Sequence, residues 1–501
     1  MTEFSPSAVL EGLLRSARNS PDRIAAIYKD REWTYERLLA ASLSAGRIMA
    51  DAGVKAGDRV AFLARNSDSY LIGWLATQAI GAIHVPVNFM LGAGEVRYII
   101  RHSGAALFFV ADEYREVAAK AAADTGVRLV DIESLRADVR PVELAVAPSS
   151  VGARPSQLAY TSGTESAPKG ALLTDVGLVH QYMSCINVGE YEGGDVVLNA
   201  LPLFHCAQLH CFITPNLFLS ATNVILDKAD PGEIIETVER FGVTSFFAPP
   251  TVWIGILNHP GFDPKRLRSL RKGYYGASIM PVEVLQSIRK ALPWLRLWNY
   301  YGQTEIGPLA AALRPEEIEA RPASAGRPVL FVETRLVDDD MNDVAVGEVG
   351  EIVHRSPQLL REYFNDPERT AEAFRGGWFH SGDLGVMDEQ GYFRIVDRKK
   401  DMIKSGGENV SSREVEEVIY GHPAVAEVAV VGLPDPKWIE AVTAVVVLRQ
   451  GLTATGEDII AWTAQSLAPF KRPKQVHFVQ ALPKNPSGKI LKRDLRISLA
   501  R

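Results

Sequence analysis

The sequence predicts an α/β protein with a small antiparallel appendage and a separate C-terminal domain, and three observations carry that reading. Short apolar runs rich in Val, Ile and Phe alternate with longer amphipathic stretches over most of the first 400 residues. Such strand–helix–strand alternation implies parallel sheets covered by helices on both faces. From residue 335 to 352 the character changes to short strands split by DDDMND and a Gly347–Gly350 turn, which predicts a small antiparallel barrel. After the strand-like GYFRIV, the run Asp397-Arg398-Lys399-Lys400-Asp401 makes a poor core segment and a good exposed linker.

The individual elements follow in order. Residues 59–64 (RVAFLA), 106–111 (ALFFVA), 196–200 (VVLNA), 244–248 (TSFFA) and 295–300 (LRLWNY) read as buried strands. Residues 71–85 are apolar but carry Thr77, Gln78 and His84 and then meet Pro86, so they read as a buried helix running into a strand. That stretch is too short and too polar to span a bilayer, so no integral membrane segment is expected. In residues 231–241 (PGEIIETVERF) the apolar positions recur at three- and four-residue steps, the mark of an amphipathic helix. Beyond the linker, SSREVEEVIYGHPAVAEVAVVGLPD reads as helix, turn and strand, and AVTAVVVL as a further strand. The basic C-terminal run (Lys484, Lys489, Lys492, Arg493, Arg496, Arg501) reads as a solvated tail.

Composition narrows the function. Among 501 residues, 54 Lys plus Arg face 60 Asp plus Glu, a net charge of −6, which argues against a nucleic-acid partner held by phosphate contacts. Three cysteines, Cys185, Cys206 and Cys211, are too few for a disulfide framework, so a reducing, cytoplasmic location is expected. No basic segment precedes an apolar run at the start, so no signal peptide is expected.

Four segments carry chemistry. YTSGTESAPKGALLTD places three hydroxyls (Thr161, Ser162, Thr164), two glycines (Gly163, Gly170) and Lys169 within ten residues, a composition that suits phosphate. It is not a Walker loop, because the lysine precedes the final glycine; by itself it is equally an ordinary Ser/Thr/Gly turn. NYYGQTEIGP ends a strand in a turn carrying Thr304 and Glu305, where a carboxylate is placed to hold magnesium beside phosphates or simply to meet solvent. In WFHSGD, Asp383 stands in a turn where it either accepts the two hydroxyls of a ribose or only stabilises the turn, and Arg398 follows a strand. PKNPSGKI presents Lys489 after a turn, positioned to neutralise developing negative charge or merely solvated. His205, Cys206, His210 and Cys211 resemble a zinc set, but the adjacent placement suits zinc poorly.

TSGTESAPKG, LPLFH, YYGASIMP, YGQTE, WFHSGD, DRKKDMIKSGGENV and PKNPSGKI occur in this order. Together they resemble the motif series of the adenylate-forming superfamily, and within it the AMP-forming acyl-CoA synthetases, from about Trp33 to the C-terminus. The resemblance implies a large N-terminal domain (1–397) of two α/β subdomains plus a small β-barrel, followed by a small mobile α+β domain (398–501) with a hinge near Lys400. It implies that Thr161, Ser162, Gly163, Thr164 and Lys169 hold the ATP β- and γ-phosphates. Tyr301 would stack on adenine, with Gly276, Ala277 and Ser278 along the same pocket. Thr304 would contact the α-phosphate, Glu305 would ligate Mg²⁺, and Asp383 with Arg398 would hold the ribose. His205 would stand at the acyl-pocket entrance, Lys489 would serve adenylation, and Trp438 would meet CoA. ATP, CoA and a carboxylic acid are then the expected partners, with the chain a monomer or homodimer. Two departures stand out: Glu165-Ser166 replace Thr-Gly in the phosphate loop, and Ile439 replaces the glycine of Trp-Gly-Glu. The acyl pocket is expected near His205, Gln208, Phe246-Phe247-Ala248 and Tyr275–Ala277, with a medium- or long-chain fatty acid first and an aryl acid next. An acceptor carrier protein in place of CoA, a luciferase-like oxygenase and a non-catalytic ligand-binding relative are the rival readings.

Overall fold

The computed structural model describes residues 6–137, 139, 153–161, 168–276, 278, 280–484 and 490–499. Two large sheets form the body. The first runs, edge to edge, through Arg327–Pro328, Ala311–Leu313, Arg296–Tyr301, Lys272–Gly276, Ser245–Phe247, Val196–Asn199, Thr222–Ile225, Ile24–Tyr28 and Arg31–Thr34. Its six middle strands are parallel and only the edges are antiparallel. The second runs through Glu362–Tyr363, Lys169–Thr174, Pro155–Thr161, Ile83–Pro86, Arg59–Leu63, Leu107–Val110 and Arg128–Asp131. All five strands expected from the apolar runs are present, and the helix Pro231–Phe241 has the bounds its periodicity indicates. Asp230 caps that helix by accepting from Glu233 N at 3.1 Å, and Gly242 closes it at φ +61°.

The two sheets share one core. The helix Asp68–Ile80 is buried at every position, and its cluster joins Ala25 and Ile225 of the first sheet to Phe62, Phe109 and Leu173 of the second. Asp68 is a charge in that interior, compensated by Arg31 at 2.7 and 2.9 Å and by Trp33 Nε1 at 2.9 Å. These partners hold its carboxyl below the usual range although burial pushes it up. Among the described residues, no helix is long and apolar enough to cross a membrane.

The segment expected as a small barrel is a four-stranded antiparallel sheet, ordered Glu333–Val337, Val349–Arg355, Phe379–Met387 and Phe393–Arg398. Its first and last strands do not pair with each other, so it stays open. A fourth sheet orders Glu408–Val410, Ile403–Ser405, Ile439–Leu448 and Val425–Asp435, with Gln475–Phe478 added parallel to Ile439–Leu448. It carries its own apolar cluster.

Two expectations need correction. The charged run 397–401 is not an exposed linker throughout: Asp397 and Arg398 complete the strand Phe393–Arg398, and Asp397 is only 6% exposed. Its carboxylate is buried because Ser412 supplies two donors to it, so charge here serves packing. Nor is the basic C-terminus a free tail. Lys492–Leu499 is a helix that buries Leu495, and Lys492 and Arg496 form ion pairs with Glu416 and Asp401.

Candidate functional site

The strand Arg296–Tyr301 delivers Tyr301 to the carboxyl edge of the first sheet, where open α/β sheets bind ligands. The Tyr301 hydroxyl donates to Asp383 Oδ2 at 2.7 Å, and Gln303 Nε2 donates to both, at 2.7 and 2.8 Å. Asp383 and Arg398 lie opposite each other across an antiparallel pair, and Arg398 Nε reaches Asp383 Oδ1 at 3.0 Å. Burial and the Asp383 charge push the Tyr301 phenol up, so it stays a donor. Asp383 in turn raises Arg398. Three protein groups thus occupy a carboxylate that has about four acceptor positions. Beside this corner, Gly276 pairs with Tyr300, and a Cβ there would stand 2.4 Å from the Tyr300 carbonyl oxygen. Only glycine fits so close an approach. Ser278, just beyond, is half-buried.

Thr304 and Glu305 follow in the single turn Thr304–Ile306. Glu305 Oε1 accepts from the Tyr363 hydroxyl at 3.0 Å, and Lys169 Nζ lies 5.2 Å from the centre of the Tyr363 ring. That link exists because Glu362–Tyr363 adds to the strand Lys169–Thr174, where Lys169 opposes Thr161. The turn is anchored from beneath. Gln358 Nε2 donates to Leu309 O at 3.0 Å and to Gln181 Oε1 at 2.9 Å, while Leu309 N donates to Gln181 Oε1 at 3.1 Å. Thr304 Oγ1 is 3.2 Å from Cys206 Sγ, whose thiol burial pushes up to about 12, so it is no thiolate. His205, half-buried, accepts from Ala207 N at Nδ1 at 3.2 Å.

A hard carboxylate such as Glu305 fits magnesium, which is held by one or two carboxylates together with substrate phosphates. Among the described residues, no group of three or more His, Cys, Asp and Glu gathers. The four zinc-like residues have separate partners instead. His210 sits between the Tyr182 hydroxyl and Gln157 Oε1, both at 2.9 Å, and Cys211 lies 3.5 Å from Gln181 Nε2.

Tyr301, Asp383 and Arg398 thus form one chain of contacts and Glu305, Tyr363 and Lys169 another, with Thr161 opposite Lys169 and Thr304 beside Glu305. Ser162, Gly163, Thr164, Ala277 and Lys489 lie outside the described residues, as do Glu165 and Ser166. Lys400 is exposed in the turn after the strand Phe393–Arg398. Trp438 belongs to the C-terminal sheet region, with the ammonium groups of Lys437 and Lys474 at 5.0 and 4.8 Å from its ring. The expected acyl lining divides. Strand alternation sends Phe246 to the cluster of Trp253 and Tyr275, and Phe247 to the opposite face, where it stacks on Phe212 at 4.6 Å. Gln208 is fully buried and donates to Asn199 Oδ1 at 2.6 Å. Sequence reasoning missed Gln303, Tyr363, Gln181 and Gln358. Gln303 lies inside a motif already singled out, whereas the other three carry no local signal.

The family described as AMP-binding enzyme matches residues 13–364, and the AMP-binding enzyme C-terminal domain matches residues 414–489. A feruloyl-CoA synthase from an Amycolatopsis species is 38% identical over 486 residues, covering 96% of this chain and 97% of its own. A long-chain-fatty-acid–CoA ligase of Bacillus subtilis (strain 168) is 31% identical over 531 residues, covering 98% and 94%. The crystal structure of ATP-bound MatB from Rhodopseudomonas palustris superposes with a TM-score of 0.92 at 26% identity, covering 99% of each chain.

Proposed function

The chain belongs to the adenylate-forming family of AMP-binding enzymes, as an acid–thiol ligase, and from that premise we propose that it joins an aromatic carboxylic acid to CoA through an acyl-adenylate. The observation that carries the nucleotide half is that two chains of contact, Tyr301–Asp383–Arg398 and Glu305–Tyr363–Lys169, start four residues apart at the end of the strand Arg296–Tyr301 and the turn after it, with Thr304 between them. An aromatic acid is preferred to the fatty acid first expected. Phe212, Phe247, Tyr274 and Tyr300, in the buried cluster that holds Cys211, pack as stacked and tilted rings, which leaves that side poorly suited to a long alkyl chain. The 38% identity to a feruloyl-CoA synthase supports the same preference. The 31% identity to a fatty-acid ligase keeps a medium- or long-chain acid as the second reading.

In this proposal Asp383 and Arg398 take the ribose, Tyr301 the adenine, and Thr304 the α-phosphate. Thr161, Ser162, Gly163, Thr164 and Lys169 hold the β- and γ-phosphates, and Gly276, Ala277 and Ser278 border the base. The substrate carboxylate attacks the α-phosphorus, the bond to the pyrophosphate oxygen breaks, and Lys489 neutralises charge between the two reacting oxygens. Mg²⁺, held by Glu305, supplies charge neutralisation on the phosphates when bound. The domain beyond residue 397 then turns about Lys400 and brings Trp438 with the Ser405-Gly406-Gly407 turn to the acyl carbon, where the CoA thiolate displaces AMP. His205 borders the acyl entrance.

One mass-spectrometric panel tests this. The protein, ATP and Mg²⁺ meet acids from acetate to long-chain and aromatic, with and without CoA. AMP plus an aryl-CoA is the expected product. A fatty acyl-CoA would replace the substrate assignment. Acyl-AMP without a thioester would favour a carrier-protein acceptor, and no turnover with any acid would favour a non-catalytic binding relative.

A further inference from the structure

Three consecutive residues at the start of the helix Ser412–Tyr420 grip three consecutive residues at the end of the strand Phe393–Arg398. Ser411 Oγ donates to the Val396 carbonyl at 2.8 Å, and Arg413 Nη1 donates to the Ile395 carbonyl. Between them, Asp397 Oδ2 accepts from Ser412 N at 2.6 Å and from Ser412 Oγ at 2.7 Å. The Ser412 hydroxyl, having spent its one proton on Asp397, accepts from Lys492 Nζ at 2.6 Å. Lys492 also meets Glu416 Oε1 at 2.8 Å, and that oxygen accepts from Val430 N at 2.8 Å. Arg496, one turn further along the last helix, reaches Asp401 at 2.8 Å.

These contacts fall into two groups. Lys492 with Glu416, and Arg496 with Asp401, join residues that all follow Lys400. The bonds to Ile395, Val396 and Asp397 join residues before Lys400 to residues after it. A turn of the small domain about Lys400 leaves the first group intact and severs the second. Lys492 opens its helix three residues past Lys489, and Lys484 bridges to Ile490, so the ends of the lysine-bearing segment are tied into this same assembly.

We propose that Asp397 is a positioning residue for the adenylation half-reaction: its carboxylate latches the helix Ser412–Tyr420, and through Ser412 and Lys492 the start of the C-terminal helix, onto the large domain. The latch is made for forming the adenylate and released for forming the thioester. This rests on the ligase reading and on the pivot at Lys400.

The test compares the two half-reactions in the full-length protein with Asp397→Asn, which keeps the shape and removes the charge, and with Ser412→Ala. Pyrophosphate release from ATP and the accepted acid reads the first half; thioester formation from supplied acyl-adenylate and CoA reads the second. Asp397→Asn is expected to slow the first about tenfold or more, the change in an equilibrium that follows loss of a charge-assisted hydrogen bond, and to change the second less than about threefold. Ser412→Ala shifts the same ratio in the same direction by less, and it carries the comparison alone if Asp397→Asn does not fold. An equal fall in both halves with an unchanged melting temperature, or a fall in the second alone, overturns the latch. Wild-type protein that performs neither half overturns the ligase reading instead, before any variant is compared.

Discussion

Ile439 has φ +68°, a left-handed conformation in which a β-branched side chain is a genuine outlier, and replacing it by glycine and by alanine exposes that strain. Any Cβ-bearing residue there carries about 1–2 kcal/mol of left-handed penalty. Glycine removes the penalty and costs about 0.5–1 kcal/mol in unfolded-state entropy relative to alanine. The residue is 65% exposed, so little burial is at stake, and glycine gives up only one exposed carbon more than alanine. The burial terms nearly cancel between the two variants, leaving Ile439→Gly more stable than Ile439→Ala by about 0.75 kcal/mol at the centre of those ranges. In a strand with ordinary φ the order is the reverse by a similar amount. The readout is amide hydrogen exchange in the strands Val425–Asp435 and Ile439–Leu448, which pair along their length and report the stability of the small domain. Ile439→Ala at least as protected as Ile439→Gly would refute the left-handed assignment.

Asp383→Asn removes the charge that Arg398, Tyr301 and Gln303 surround, and the Michaelis constant for ATP is expected to rise about 10- to 100-fold, the worth of one hydrogen bond to a charged group. Gly276→Ala places a Cβ 2.4 Å from the Tyr300 carbonyl oxygen; the strands must part, costing about 1–3 kcal/mol of stability, measured as a fall in melting temperature with reduced ATP affinity. His210 is pushed down to about 3 by burial, so between pH 6.5 and 3 the unfolded chain binds a proton that the folded one refuses. Its contribution is intact above pH 6.5 and falls by up to about 1.4 kcal/mol per pH unit below it. Urea midpoints at pH 7, 6 and 5 are expected to decline less steeply in His210→Gln than in the parent.

What could be read in advance was whatever repeats locally. The strands Arg59–Leu63 and Leu107–Val110 and the helix Pro231–Phe241 announce themselves because their burial follows a period of the chain itself. The nucleotide motifs announce themselves because their residue types crowd into a few positions. What stayed hidden depends on a partner far away in sequence. Asp397 looks like linker charge until Ser412, fifteen residues on, supplies two donors. Gln358 is one unremarked amide until it meets Gln181, 177 residues earlier. The split between Phe246 and Phe247 was legible in principle, since neighbours in a strand face opposite ways. Treating them as one lining segment obscured it.

The occupied state of Asp383 bears on the sugar-binding role proposed for it. A diol that donates both hydroxyls to a carboxylate already serving three protein donors cannot simply add two more bonds, because the four acceptor positions run out. If Asp383 takes the ribose as proposed, Tyr301 or Gln303 must let go as the sugar arrives, and recognition is then an exchange of donors rather than a capture. A nucleotide lacking one hydroxyl demands no such exchange and leaves the protein's own bonds as they were. In the proposed role, discrimination between ribose and deoxyribose at this carboxylate is the small difference between bonds gained and bonds surrendered, and Tyr301 and Gln303 set its size.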